Sequence, residues 1–252
     1  MENPLLKRQR IEKDYHDRKY GKKGAKNILT KENNAYRVFR KLRGDVANLR
    51  VLDFGCGNGW LSIESGKDGA SEVFGVDISK ELIEEANRLA EEKGLSNRVY
   101  FLKMPGEDLT FSDNYFDLCL GSAILHHTDL NLAIQNIFRV LKPGGRAIFI
   151  EPLNQNIFLK SWRTLTPWRR SPVERALVNN DLKLIRKIFP GAKFHFFKFV
   201  SIFTGGLFIM FPNSKLFYFI NELFEKVDSK LIELCPSFGK YCAIAVLELT
   251  KD

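Results

Sequence analysis

Little in this 252-residue sequence points to a protein held together by anything but its own core. Its four cysteines, Cys56, Cys119, Cys235 and Cys242, are scattered, with no C-x-x-C pair and no cluster among the four histidines. That spacing excludes a disulfide framework and a structural zinc site, so no metal is expected and a reducing cytoplasm fits. No stretch is long and apolar enough to cross a bilayer. The longest, Phe199–Pro212, falls short of the roughly 20 residues a spanning helix needs. Met1 to Lys31 is polar and basic without an apolar centre, so no signal peptide is expected. Internal repeats and low-complexity tracts are also missing. Zinc-knuckle, aromatic RNA-binding and helix-turn-helix patterns are absent as well, so nucleic acid is not a favoured partner despite a formal net charge of +9. The charge leaves an anionic membrane surface, an acidic substrate or a solvated basic surface.

What is abundant is phenylalanine, at 21 residues, and a pattern of strands alternating with helices from Leu49 onward. The alternation is organised around Val51-Leu52-Asp53-Phe54-Gly55-Cys56-Gly57-Asn58-Gly59-Trp60. A short apolar run meets an acidic residue, breaks into glycines at alternate positions and enters a helix. Glycine admits positive φ and leaves no Cβ between backbone and ligand, so this is a nucleotide-cofactor cradle. A pyrophosphate fingerprint, G-x-G-x-x-G, would need its third glycine where Trp60 stands.

The expected elements are strands at Leu49–Phe54, Glu72–Val76, Val99–Leu102, Phe116–Leu120 and Arg146–Ile150, with helices at Gly59–Lys67, from Ser79, and at Leu130–Leu141. Ser79 is the expected N-cap of the second of these helices. Before them, residues 1–48 read as a helical cap: Tyr36, Phe39 and Leu42 recur at helical spacing in a helix from about Lys26, after a Gly21–Gly24 loop, and Tyr15, His16 and Tyr20 are candidates to line a site. After them, Pro152–Pro172 carries Lys160, Arg163, Arg169 and Arg170 among Trp162 and Trp168 with little periodicity, as a lid would. A helix at Asn180–Phe189, a Phe-rich strand at Phe194–Phe203, a helix near Lys215–Leu234 and a last strand at Tyr241–Leu249 complete the pattern. Alternation of this kind implies helices on both faces of a largely parallel sheet.

Asp77 ends the second strand, where an acidic residue accepts hydrogen bonds from ribose hydroxyls in dinucleotide folds. His126 and His127 follow the fourth strand, and ligands of open α/β sheets collect beyond such strand ends. An imidazole there can take a proton from a hydroxyl or amine.

With Asp53, the G-x-G-x-G run resembles motif I of the class I S-adenosylmethionine (SAM)-dependent methyltransferases. Met104-Pro105-Gly106-Glu107-Asp108-Leu109-Thr110-Phe111-Ser112-Asp113-Asn114-Tyr115-Phe116-Asp117 resembles a second motif of the methyltransferase type 11 group, with Pro105 where that group has Asp. Gly121 to Asp129, including L-H-H, and Leu141-Lys142-Pro143-Gly144-Gly145 resemble two more, all in order between Lys41 and Glu151. The segment from Glu151-Pro152 to Glu174 looks like the linker of a subgroup with an E-P…N…R…T-P…R pattern.

The resemblance implies a doubly wound, Rossmann-like seven-stranded sheet with an antiparallel last strand and helical cap elements. It implies a cap at 1–48, a SAM-binding core at 49–151, and a lid with the rest of the sheet at 152–252, in one domain. Asp53 would orient the methionine end of SAM, and Gly55, Gly57 and Gly59 would allow its approach. Asp77 would hold the ribose, Ile78 would stack on adenine, and backbone at Gly106 and Glu107 would read its edge. His127, or His126, would act at the acceptor. The implied reaction is methyl transfer to a small or lipophilic acceptor, with oxygen slightly favoured. The alternatives are other SAM chemistry and a non-catalytic SAM- or partner-binding module. The Phe-rich region from Phe196 to Phe224 reads either as a membrane-contact patch or as core and dimer interface.

Overall fold

The structure, a computed structural model, describes residues 3–20, 34–156, 159–161, 164, 171–204 and 214–252. Seven strands form one sheet in the order β3-β2-β1-β4-β5-β7-β6. They are β1 Arg50–Phe54, β2 Glu72–Asp77, β3 Val99–Lys103, β4 Phe116–Ser122, β5 Leu141–Pro152, β6 Lys193–Phe197 and β7 Ile244–Thr250. β1 to β5 pair in parallel, while β7 runs antiparallel to both β5 and β6. The expected sheet, with its antiparallel last strand, is therefore present.

Alternation along the central strands builds a core on each face. Leu52, Phe54, Cys119, Ala147 and Phe149 join one buried cluster, and Val51, Leu118, Leu120, Ile148 and Ile150 the other. Continuous apolar strands are what a sheet covered on both sides requires. The helices are α1 Pro4–Tyr20, α2 Asn34–Arg43, α3 Trp60–Lys67, α4 Lys80–Glu92, α5 Leu130–Val140, α6 Asn179–Ile188 and α7 Lys215–Leu234. Ala35, Tyr36 and Phe39 of α2, Leu61 and Ile63 of α3, and Ile83 and Ala86 of α4 fill the second face. Ala133, Ile134 and Ile137 of α5 and Leu182 and Ile185 of α6 fill the first. Ser79 caps α4 as expected, its hydroxyl accepting the Leu82 N–H at 3.3 Å. The Lys142-Pro143-Gly144-Gly145 turn is an excursion within β5: Phe116 pairs with Leu141, and the register resumes at Leu118 with Arg146.

Two expectations at the C-terminal edge need correction. The strand expected over Phe194–Phe203 stops at Phe197, where Lys198 takes φ 64° and a 3-10 turn, Ser201–Phe203, follows. The cause is Asp228 on α7. Its carboxylate accepts the N–H groups of Phe199 (3.0 Å), Val200 (2.6 Å) and Ser201 (3.2 Å), drawing them out of the ladder. The last strand begins at Ile244 rather than Tyr241, because Pro236–Tyr241 forms a 3-10 turn in front of it. Of the helix expected from about Lys26, residues 26–33 lie outside the described residues, as do the Gly21–Gly24 loop, Trp162, Arg163, Trp168, Arg169, Arg170, Phe208, Phe211 and the side chains of His16 and Tyr20. Among the described residues, no helix is long and apolar enough to cross a membrane.

Candidate active site

At the carboxyl ends of β1, β2 and β4 the three motif glycines all adopt left-handed backbone: φ is 70° at Gly55, 53° at Gly57 and 80° at Gly59. L side chains rarely adopt such angles, and space forbids them at two of the three positions. A Cβ on Gly55 would stand 2.1 Å from the Ile124 side chain, and one on Gly59 2.5 Å from Phe101. Gly57 faces open space, with nothing within 4 Å of an added Cβ. Its N–H donates to Asp77 Oδ2 at 3.0 Å, and the Ser79 N–H donates to Asp77 Oδ1 at 2.8 Å. Burial at the strand end pushes the Asp77 carboxyl above the usual carboxylate range, opposed by these N–H donors.

A cleft of about 540 Å³, its open mouth included, lies above this turn. Gly55, Asp77, Ile78, the Pro105-Gly106-Glu107 turn, Ile124, His127 and Thr128 line it. Arg139 holds the wall behind Glu107 by donating to the carbonyl oxygens of Leu109 (2.5 Å) and Phe111 (2.7 Å). α1 closes the cleft from above. Gln9 and Glu12 reach into it, and the Ser79 hydroxyl donates to Asp17 at 2.5 Å. These three α1 residues were not among the sequence candidates. Their contacts join positions up to 115 residues apart, and the weak amphipathicity of a charged helix carries no mark of them.

Asp53 does not line the cleft. It is 1% exposed beneath the glycine turn, and Ser62 Oγ donates to its Oδ2 at 2.6 Å, tying β1 to α3. In this geometry Asp53 supports the turn from below. Burial raises the Asp53 pKa to about 7. The folded protein thus keeps a proton that the unfolded chain loses near its ordinary value of 3.8, so stability falls as pH rises between those values. Asp53→Asn, which keeps an oxygen for Ser62, should flatten that fall. Its midpoint of thermal unfolding at about pH 8 should exceed that of the parent, by an amount on the order of 2–4 kcal/mol in stability. Parallel pH profiles for the two proteins would refute this.

Glu107 both lines the cleft and braces it. Its carbonyl accepts from Asn136 Nδ2 at 2.8 Å, and its carboxylate accepts the Asp129 N–H at 3.0 Å and Gln9 Nε2 at 3.2 Å. Its bonds position the loops. Gly106 is required by packing: a Cβ there would meet Phe54 at 2.1 Å. The two histidines part company. His127 lines the cleft, with Nδ1 3.0 Å from Glu12 Oε2. His126 is 5% exposed and turned away from the cleft, with Nδ1 2.7 Å from Glu151 Oε2.

Together, the strand order with its reversed seventh strand and the glycine turn beside a strand-end aspartate define the class I methyltransferase fold. Residues 52–149 match the family model described as "Methyltransferase domain", and this part of the chain is a class I methyltransferase domain, the class whose methyl donor is SAM. Over 98 residues the chain is 41% identical to sterol 24-C-methyltransferase erg6 of Aspergillus fumigatus, covering 38% of this chain and 26% of that protein. It is 32% identical over 140 residues to the malonyl-[acyl-carrier protein] O-methyltransferase of Buchnera aphidicola, covering 54% of this chain and 53% of that one. The match therefore spans between about a quarter and about half of these relatives. A phosphoethanolamine N-methyltransferase from Haemonchus contortus superposes with a TM-score of 0.65 at 16% identity, over 95% of this chain and 59% of that one, a likeness of fold. Carbon, oxygen and nitrogen acceptors all occur among these names, so the domain alone does not select oxygen.

Proposed function

We propose that this protein transfers a methyl group from SAM to an oxygen of a small or lipophilic acceptor, by in-line displacement that releases S-adenosylhomocysteine. The observation that carries the reading is the continuity of one cleft from Asp77 and Ile78 to Ile124 and His127. The donor's ribose hydroxyls donate to Asp77, adenine lies between Ile78 and the Pro105–Gly106 backbone, and the methionine end runs along Gly55 and Gly57. The sulfonium supplies the driving force, so the protein's work is to place the acceptor in line and exclude water. His127, with His126 behind it, holds the polar atom of the acceptor. A lipophilic acceptor is supported by the apolar side chains of Phe54, Val76, Met104 and Ile124 lining the cleft.

Incubation with methyl-labelled SAM and a panel of hydroxylated lipids, quinols and small acids tests the reading. Label should appear in a product, and its absence from every product while SAM binds would favour a binding module or another SAM chemistry. His127→Ala should leave S-adenosylhomocysteine affinity unchanged and lower turnover by about 10²- to 10⁴-fold. Undiminished turnover would remove His127 from the site.

A further inference from the structure

Beside the cleft, on the far side of His127, the side chains concentrate more ligating chemistry than methyl transfer requires. The rings of His126 and His127 have centroids 4.1 Å apart. One ligand atom from each, with a carboxylate oxygen of Glu174, lies within 4.8 Å of the other two. His126 Nε2 is 3.8 Å from Glu174 Oε1. Glu174 belongs to the stretch before α6, and that stretch is pinned here by backbone: the Arg175 N–H donates to the His126 carbonyl at 3.2 Å, and the Leu177 N–H to that of Pro152 at 3.1 Å.

Two further carboxylates stand behind the rings, Glu151 at His126 Nδ1 (2.7 Å) and Glu12 at His127 Nδ1 (3.0 Å). A carboxylate at one ring nitrogen fixes the tautomer and raises the basicity of the other, the arrangement found around metal-ligating histidines. Charge points the same way. Glu151 and Glu174 expose only 0% and 13% of their side chains, and buried carboxylates are stabilised by a cation.

We propose that His126, His127 and Glu174 bind a divalent transition-metal ion through Nε2 of each ring and the Glu174 carboxylate. Two histidines and one carboxylate suit Zn²⁺ or Fe²⁺ and leave coordination positions open. The three side chains reach it by closing about an ångström, to ligand distances of roughly 2.0–2.2 Å. An oxygen of the acceptor completes the coordination on the cleft side, where His127 stands, so the favoured acceptors carry a hydroxyl beside a second oxygen donor. That use of the ion rests on the methyl-transfer reading; the ion site itself does not. The scattered cysteines and few histidines led to an expectation of no metal, because neither Glu174 nor the two supporting carboxylates is near the histidines in sequence.

Full-length protein, stripped with chelator and dialysed, should bind Zn²⁺ in calorimetric titration at one ion per chain. Co²⁺ should give the visible spectrum of a four- or five-coordinate site. Glu174→Gln and His127→Gln should each weaken Zn²⁺ binding by about 100-fold or more, and Glu12→Gln by about 10- to 100-fold. S-adenosylhomocysteine affinity, read in parallel, should survive in the first two variants. If Glu174→Gln proves unfolded, His127→Gln carries the comparison. The proposal is overturned if the parent binds no stoichiometric ion, or if the folded variants bind Zn²⁺ as the parent does. Failure to bind S-adenosylhomocysteine, with ion binding intact, would sink the donor reading alone.

Discussion

Replacing Asp77 by alanine should weaken S-adenosylhomocysteine binding by about 100-fold or more in calorimetric titration. A hydrogen bond to a charged group contributes roughly 1.5–3 kcal/mol, and each 1.4 kcal/mol is about a factor of ten in affinity. Two ribose hydroxyls donating to one carboxylate reach that figure. The carboxylate also accepts the N–H groups of Gly57 and Ser79, so alanine both removes the ribose partner and loosens the glycine turn. Asp77→Asn separates the two effects. It keeps the side chain's size and one acceptor oxygen for the turn while giving up the negative charge, and should fall between parent and alanine. Unchanged affinity in the alanine variant would end the assignment of Asp77 to the ribose.

Glu151→Ala should destabilise the protein by about 3–5 kcal/mol, read from chemical denaturation, a loss typical of removing one partner from a buried charged cluster. Glu151 is 1% exposed at the end of β5. Its Oε1 accepts the N–H groups of Ile124 at 2.9 Å and Leu125 at 2.8 Å, and its Oε2 meets His126 Nδ1. Alanine leaves two buried N–H donors and an imidazole without that partner, at roughly 1–3 kcal/mol for each unsatisfied group. Ala123, just before this turn, has φ 55°, so the carboxylate also holds a bend the backbone does not favour. A loss under about 1 kcal/mol would show that water replaces the carboxylate, and that the turn needs no support from β5.

The sheet was legible because its signals are local. Period-two apolar runs, caps such as Ser79 and the Lys142–Gly145 turn act within a few residues, so β1 to β4 are found with ends no more than two residues from those expected. β5 is the exception, since its pairing resumes beyond the turn and counts Leu141 with it. Legibility failed at Phe197, where a carboxylate on α7, 29 and 28 residues from the Phe199 and Val200 N–H groups it accepts, ended a strand that composition alone would continue.

By itself the sequence determined the doubly wound sheet, the glycine turn and the strand-end position of Asp77, because backbone conformation and apolar period are written residue by residue. Tertiary structure decided what each polar side chain does there. It put Asp53 beneath the turn and Glu107 into the loop bonds, faced His127 into the cleft and turned His126 away. It also brought in Gln9 at Glu107, and Glu12 and Glu174 at the histidines, none of them placed there by reading the sequence. The reason is distance along the chain. Glu12 meets His127 across 115 residues and Gln9 meets Glu107 across 98, and no periodicity connects positions so far apart until the fold has closed.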